Sequence, residues 1–155
     1  GWVGVAMRIE FEIPATPKPK GRPRFSTRGG FARAYTPAAT EHAEHDVAVL
    51  AAAHAPPVPH QGPVIVDLDF VLPVPASWSK RKRAAALTGE VAPISKPDRD
   101  NLEKLTLDAL TRSGRWWRDD SQIVDGRTRK VYGDPPCTRV VVYLVGAKNA
   151  RLGRV

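Results

Sequence analysis

Two residue types are almost missing from this sequence: it holds one cysteine, Cys137, and one methionine, Met7. A lone thiol excludes an internal disulfide, so nothing here asks for an oxidising compartment, and the cytoplasm is the default expectation. No apolar run reaches the length that crosses a bilayer, and no signal-peptide pattern opens the chain. Carboxylates are outnumbered as well. Asp and Glu total 16 against 24 Lys and Arg, a net charge of +8. With 155 residues and an apolar fraction of 42%, the chain reads as one globular domain able to bury its own core, not as a disordered or membrane-spanning one. A pI near 10.1 points to a polyanion partner, most simply nucleic acid.

The distribution of charge sharpens that expectation. From Lys18 to Arg33 the chain carries Lys18, Lys20, Arg22, Arg24, Arg28 and Arg33 without one acidic residue. Glycine and proline interrupt the stretch, so it reads as a loop with exposed amides, and Phe25 and Phe31 sit among its charges. Interleaved cations and aromatics hold phosphates while stacking on opened bases. A second cationic patch follows in Lys80-Arg-Lys-Arg83.

Against this background the aspartates of Lys96-Pro-Asp-Arg-Asp-Asn-Leu-Glu-Lys-Leu-Thr-Leu-Asp108 need a reason. The steps from Asp100 to Lys104 and on to Asp108 stack these residues along one helix face. Leu102, Leu105, Ala109 and Leu110 form the apolar stripe opposite. A second acidic block, Asp119-Asp120-Ser-Gln122, comes shortly after. Each aspartate alone has a bland explanation: Asp98 or Asp100 as a helix cap, Asp119 and Asp120 as turn residues, Lys104 as an i,i+4 partner of Asp100 or Asp108. Together they favour a divalent metal acting on a phosphate backbone. His42 and His45, near Glu41 and Glu44, are a weak zinc signal without a further ligand, and a solvated helix face explains them better.

The element pattern is α+β. Met7 to Ile13 alternates strictly, as a half-buried strand does. Thr36-Pro37 offers an N-cap with proline at N1, opening a helix to about His54. Val64 to Val71 is a second strand, with Asp67 and Asp69 on the wet face. Trp78 to Leu87 reads as a short basic helix capped by Ser77 or Ser79. The acidic helix runs from about Asp98 to Ser113 and stops at Gly114. Trp116 and Trp117 are expected in the core, with a partner contact by one of them as the alternative. Gln122 to Tyr132 and Thr138 to Val145 read as the last strands. The expected architecture is a single domain with a mixed or antiparallel sheet packed with helices. Gly1 is read as a cloning scar and Met7 as the original start, which leaves residues 1–6 as an extension, 7–147 as the domain and 148–155 as a polar tail.

The motifs Asp98-Arg-Asp-Asn-Leu-Glu-Lys104, Asp108-Ala-Leu, Asp119-Asp-Ser-Gln-Ile and Arg129-Lys-Val-Tyr-Gly-Asp, in this order, resemble the RusA family of Holliday junction resolvases. Pro17-Lys-Pro-Lys-Gly-Arg-Pro-Arg-Phe25 and Tyr35-Thr-Pro are similar to its phage and prophage branch. The resemblance implies a RusA-like fold, with metal-binding carboxylates at Asp98, Asp100 and Asp120 (Asp119 being the alternative third ligand) and a catalytic lysine at Lys104. It also implies magnesium, for which manganese can substitute, a homodimer, branched DNA as partner, and paired incisions across a four-way junction. The workplace it implies is the bacterial host cytoplasm, at the nucleoid. Two rival readings stand beside it. A non-catalytic basic DNA-binding protein leaves the acidic blocks unexplained, and a metal-dependent hydrolase of a small phosphorylated substrate leaves the basic loop unexplained.

Overall fold

Apolar residues at alternate positions give three long segments a buried face each, and these build most of one sheet. The computed structural model describes residues 4–146. In it β1 (Val5–Ile13) pairs antiparallel with β7 (Cys137–Val145), which pairs antiparallel with β4 (Val64–Leu72). Beyond β4 lie β5 (Ile123–Asp125) and β6 (Thr128–Tyr132), both parallel to it. The sheet is therefore mixed, and the fold is α+β with three helices. The strand expected from Met7 starts two residues earlier, with Val5 paired to Val145 across an irregularity in the ladder before Met7.

Helices α1 (Ala38–Ala52) and α3 (Arg99–Ser113) cover one face of this sheet. Phe11, Val64, Val66, Leu68, Phe70, Val140 and Val142 meet Ala51 of α1 and Leu102 and Leu110 of α3 in one core. Trp116 and Trp117 are both fully buried in it, so neither is left for a partner. Trp116 stacks on Phe11, and Trp117 donates through Nε1 to Thr111 Oγ1 at 2.8 Å. Burial of aromatics this large is among the stronger apolar contributions a domain can make.

Several sequence expectations shift. The strand expected from Gln122 to Tyr132 is two strands, broken at Gly126 (φ 151°), where any Cβ would collide with the Val66 carbonyl. Asp67 and Asp69 serve that break: Asp67 Oδ1 accepts from Arg127 N at 2.9 Å, and Asp69 takes a two-pronged Arg129 guanidinium at 2.6 and 3.0 Å. The cap of α1 falls on Pro37, whose ψ of 140° is extended, rather than on Thr36. The basic segment is no plain loop. It folds into an antiparallel ribbon of β2 (Arg24–Ser26) and β3 (Arg33–Tyr35) outside the main sheet, turning through Gly29 and Gly30 at positive φ. Helix α2 (Lys80–Leu87) is capped by Ser79, which accepts from Lys82 N. Residue 147 and the tail 148–155 lie outside the described residues.

Candidate active site

Helix α3 opens on two carboxylates without structural duties. Asp98 occupies the N-cap position with extended backbone, yet its side chain makes no capping bond. Asp100, in the first turn, and Asp98 are both exposed, and neither side chain has a hydrogen bond or ion pair to another described residue. The capping explanation therefore fails for Asp98. Leu102, Leu105, Ala109 and Leu110 are buried as the stripe requires, which turns Asp100 and Lys104 to solvent. Lys104 Nζ lies 3.3 Å from Asp108 Oδ2, so its simple i,i+4 pairing is present, worth only a few tenths of a kcal/mol at ~0.2–0.5.

Two anchors fix where α3 begins. Lys130 of β6 donates to the carbonyls of Ser95 and Pro97 at 3.0 and 2.9 Å. Lys20 N donates to Asn101 O at 2.8 Å. Reading the sequence singled out neither contact, because Lys130 looks like any strand lysine until the sheet is assembled.

The second acidic block divides its labour. Asp119 caps a one-turn 3-10 helix (Asp120–Gln122), its Oδ1 accepting from Ser121 N at 3.0 Å. Gln122 Oε1 accepts in return from Asp119 N and Arg118 N at 3.0 and 2.8 Å. Its Nε2 donates to the carbonyls of His60 and Gly62. The Asp-x-x-Gln spacing of a capping box is the signal that could have found this role. The Ser121 amide, then Asp120, hold the Asp119 carboxyl below its usual range. Asp120 is pushed up, chiefly by its hydrogen bond with Asp119 and also by the Asp108 charge, while Lys104 pulls the other way. Asp120 thus lies within electrostatic range of Lys104 and Asp108, one and two helical turns along α3 from Asp100.

The basic arm meets α3 at a cavity of about 690 Å³ lined by Lys18, Lys20, Arg22, Lys96, Asp98 and Tyr132, among others. A larger, mostly apolar hollow of about 1000 Å³ between the arm and α1 contains neither aspartate block. Phe25 and Phe31 stand 75% and 72% exposed on the ribbon, and Arg24, Arg28 and Arg33 are exposed beside them. Lys20 differs from its neighbours: it pairs with Glu44 and, at 3.2 Å, with Asp108. Of the cations expected to grip DNA, Lys20 is thus the one whose ammonium two internal carboxylates engage. Glu44, expected on a solvated helix face, is buried by the same pairing. His42 and His45 are exposed on α1.

The donor chemistry of the acidic face fits a hard cation: it is all carboxylate oxygen, and Asp98 and Asp100 have spare lone pairs. Among the described residues, however, no three His, Cys, Asp or Glu side chains close on one point tightly enough to hold an ion. Asp98 and Asp100 stand together at the start of α3, while Asp120 lies apart from that helix on the 3-10 turn, so the three do not form a finished coordination shell.

Comparison with known proteins agrees with this geometry. The family model described as endodeoxyribonuclease RusA matches residues 14–143. The uncharacterised protein YqaN of Bacillus subtilis (strain 168) is 36% identical over 141 residues, covering 90% of this chain and 98% of that protein. A match spanning the basic arm, α3, the 3-10 turn and most of the sheet shows that the chain belongs to the RusA endodeoxyribonuclease family.

Proposed function

We propose that the protein is a magnesium-dependent endonuclease of the bacterial cytoplasm, of the phage and prophage branch. In this reading it resolves four-way DNA junctions by paired phosphodiester hydrolysis as a homodimer. One observation carries the reading: Asp98 and Asp100, two exposed carboxylates with no structural work, stand at the mouth of α3, where Asp98 borders a cavity walled by Lys18, Arg22 and Lys96. Carboxylates facing a phosphate-binding wall are unfavourable unless a cation joins them, and magnesium takes such oxygen ligands.

Asp98, Asp100 and Asp120 would hold the ion, with Asp119 shaping the turn that presents Asp120. When bound, magnesium supplies charge neutralisation at the phosphate oxygens and eases deprotonation of water. The side chains do the rest. Lys18, Arg22, Arg24, Arg28 and Arg33 neutralise backbone phosphates, and Phe25 and Phe31 offer stacking faces for bases opened at a branch point. Lys104, 62% exposed at its side chain, swings to the scissile phosphate and offsets negative charge as it builds up. In the hydrolysis one P–O bond forms from water and the P–O bond to the departing sugar oxygen breaks. A second active site on the symmetry-related copy cuts the opposing strand.

The test is a gel assay of four-way junction and linear duplex, each with and without magnesium. Selective, symmetric, metal-dependent nicking of the junction is expected. Binding without cutting would favour a DNA-binding protein, and hydrolysis of a small phosphate ester alone would favour the other rival. Sedimentation at micromolar concentration should show a dimer; a monomer under those conditions counts against paired cutting.

A further inference from the structure

The charge on Lys20 is consumed inside the protein. Its ammonium pairs with Glu44 of α1 and lies 3.2 Å from Asp108 Oδ2 of α3. The same Asp108 oxygen is 3.3 Å from Lys104 Nζ. The backbone at this point is pinned from both sides, with Lys20 N donating to Asn101 O at 2.8 Å and Gly21 N to Thr40 Oγ1 at 3.0 Å. A side chain at position 21 would collide with that hydroxyl. Glu44 is only 5% exposed and takes a further contact from Arg112 at 3.5 Å. A carboxylate this buried requires its cations.

We propose that Lys20 is a positioning residue for strand scission: its ammonium holds Asp108 as the resting counterion of Lys104, while the backbone bonds of residues 20 and 21 keep the arm in place. The inference rests on the nuclease reading above. Asp108 is one negative charge shared by two ammonium groups. When a phosphate arrives, Lys104 leaves Asp108 for it, and Lys20 keeps Asp108 neutralised and turned away from the new anion. Without Lys20, Asp108 grips Lys104 more strongly and repels the phosphate. The defect then falls on the cutting step and not on DNA affinity, because Lys20 does not spend its charge on DNA.

The experiment follows single-turnover cutting of a bound four-way junction, and junction affinity without metal, in wild type, Lys20→Met, Lys20→Arg, Asp108→Asn and the Lys20→Met/Asp108→Asn pair. Lys20→Met should slow cutting on the order of tenfold to a hundredfold, the scale of a misplaced reacting group. Its affinity should change by less than about threefold, since no phosphate contact is lost. Lys20→Arg should recover most of the rate. In the Asp108→Asn background, Lys20→Met should add less than about twofold, because the two residues act through one contact. Fully multiplicative effects, or a loss confined to affinity, would overturn the proposal. If Lys20→Met does not fold, Lys20→Met with Glu44→Gln removes the stranded buried charge, and it is compared with Glu44→Gln alone. Wild-type protein that fails to cut junctions with magnesium sinks the nuclease reading itself. Wild type that cuts while Lys20→Met cuts equally well sinks only the role of Lys20.

Discussion

The chain contains the same short pattern twice, Asp67-Leu-Asp69 on β4 and Asp98-Arg-Asp100 at the mouth of α3. In β4 both carboxylates are used: one binds the Arg127 amide, the other a guanidinium in two-pronged fashion. At α3 neither is used by any described residue, although Asp98 sits where a cap would be welcome. Spacing alone does not separate a structural pair of aspartates from a chemical one. What separates them is whether the fold already supplies their partners.

Removing divalent metal should give the largest effect. Chelation should abolish junction cutting while leaving junction binding intact, and added magnesium should restore cutting; cutting that persists in chelator would break the contrast between the pairs. Magnesium should also raise the melting temperature of wild type and of Asp69→Asn, but much less that of Asp100→Asn. Next comes Asp100→Asn itself. Cutting should fall on the order of a hundredfold or more, the scale of a lost transition-state stabiliser. Stability should drop by no more than about 1 kcal/mol, the worth of a charge in a helix's first turn. A variant that melts normally and cuts at the wild-type rate would return Asp100 to the structural class.

The basic arm gives a smaller, graded effect. Arg22→Ala with Arg24→Ala should weaken junction binding and flatten its salt dependence by about 1–2 in log–log slope, at about 0.9 per lost phosphate contact. An unchanged slope would move the binding surface elsewhere. Asp69→Asn should show the least: about 1 kcal/mol of stability, read from the denaturant midpoint, with junction cutting unchanged. A cutting defect there would erase the distinction between the two pairs.

The parts of the fold legible in the sequence are those governed by local periodicity. Strict alternation marks β1 from Met7, a β-branched apolar run with Asp67 and Asp69 at alternate positions marks β4, and the stripe of Leu102, Leu105, Ala109 and Leu110 marks α3, with Gly114 at φ 65° ending it as expected. What was not legible depends on residues far apart in sequence. Glu44 looks solvated beside Glu41 and His45, and only the approach of Lys20 and Arg112 buries it. The ribbon of β2 and β3 was hidden because arginine and glycine say little about strands, while ribbon pairing follows from how the segment turns back on itself. For the candidate site, the motif supplied the residues, and the structure supplied their division of labour: Asp119 to the turn, Lys20 to Asp108.

Gly126 carries a consequence for how the molecule behaves among its own copies. The outer margin of the sheet beyond β4 is made of β5 and β6, and Gly126 divides it into two short pieces. A margin broken in this way offers an incoming chain no long ladder of amides and carbonyls, and short, kinked borders are one way sheets avoid templating aggregates. The opposite margin, β1, is a continuous strand, but Arg8, Glu10 and Glu12 stud it with charge. Because the Val66 carbonyl leaves no room for a Cβ at position 126, this protection tolerates no substitution there. The broken border of this sheet thus depends on one hydrogen atom where other residues carry a side chain.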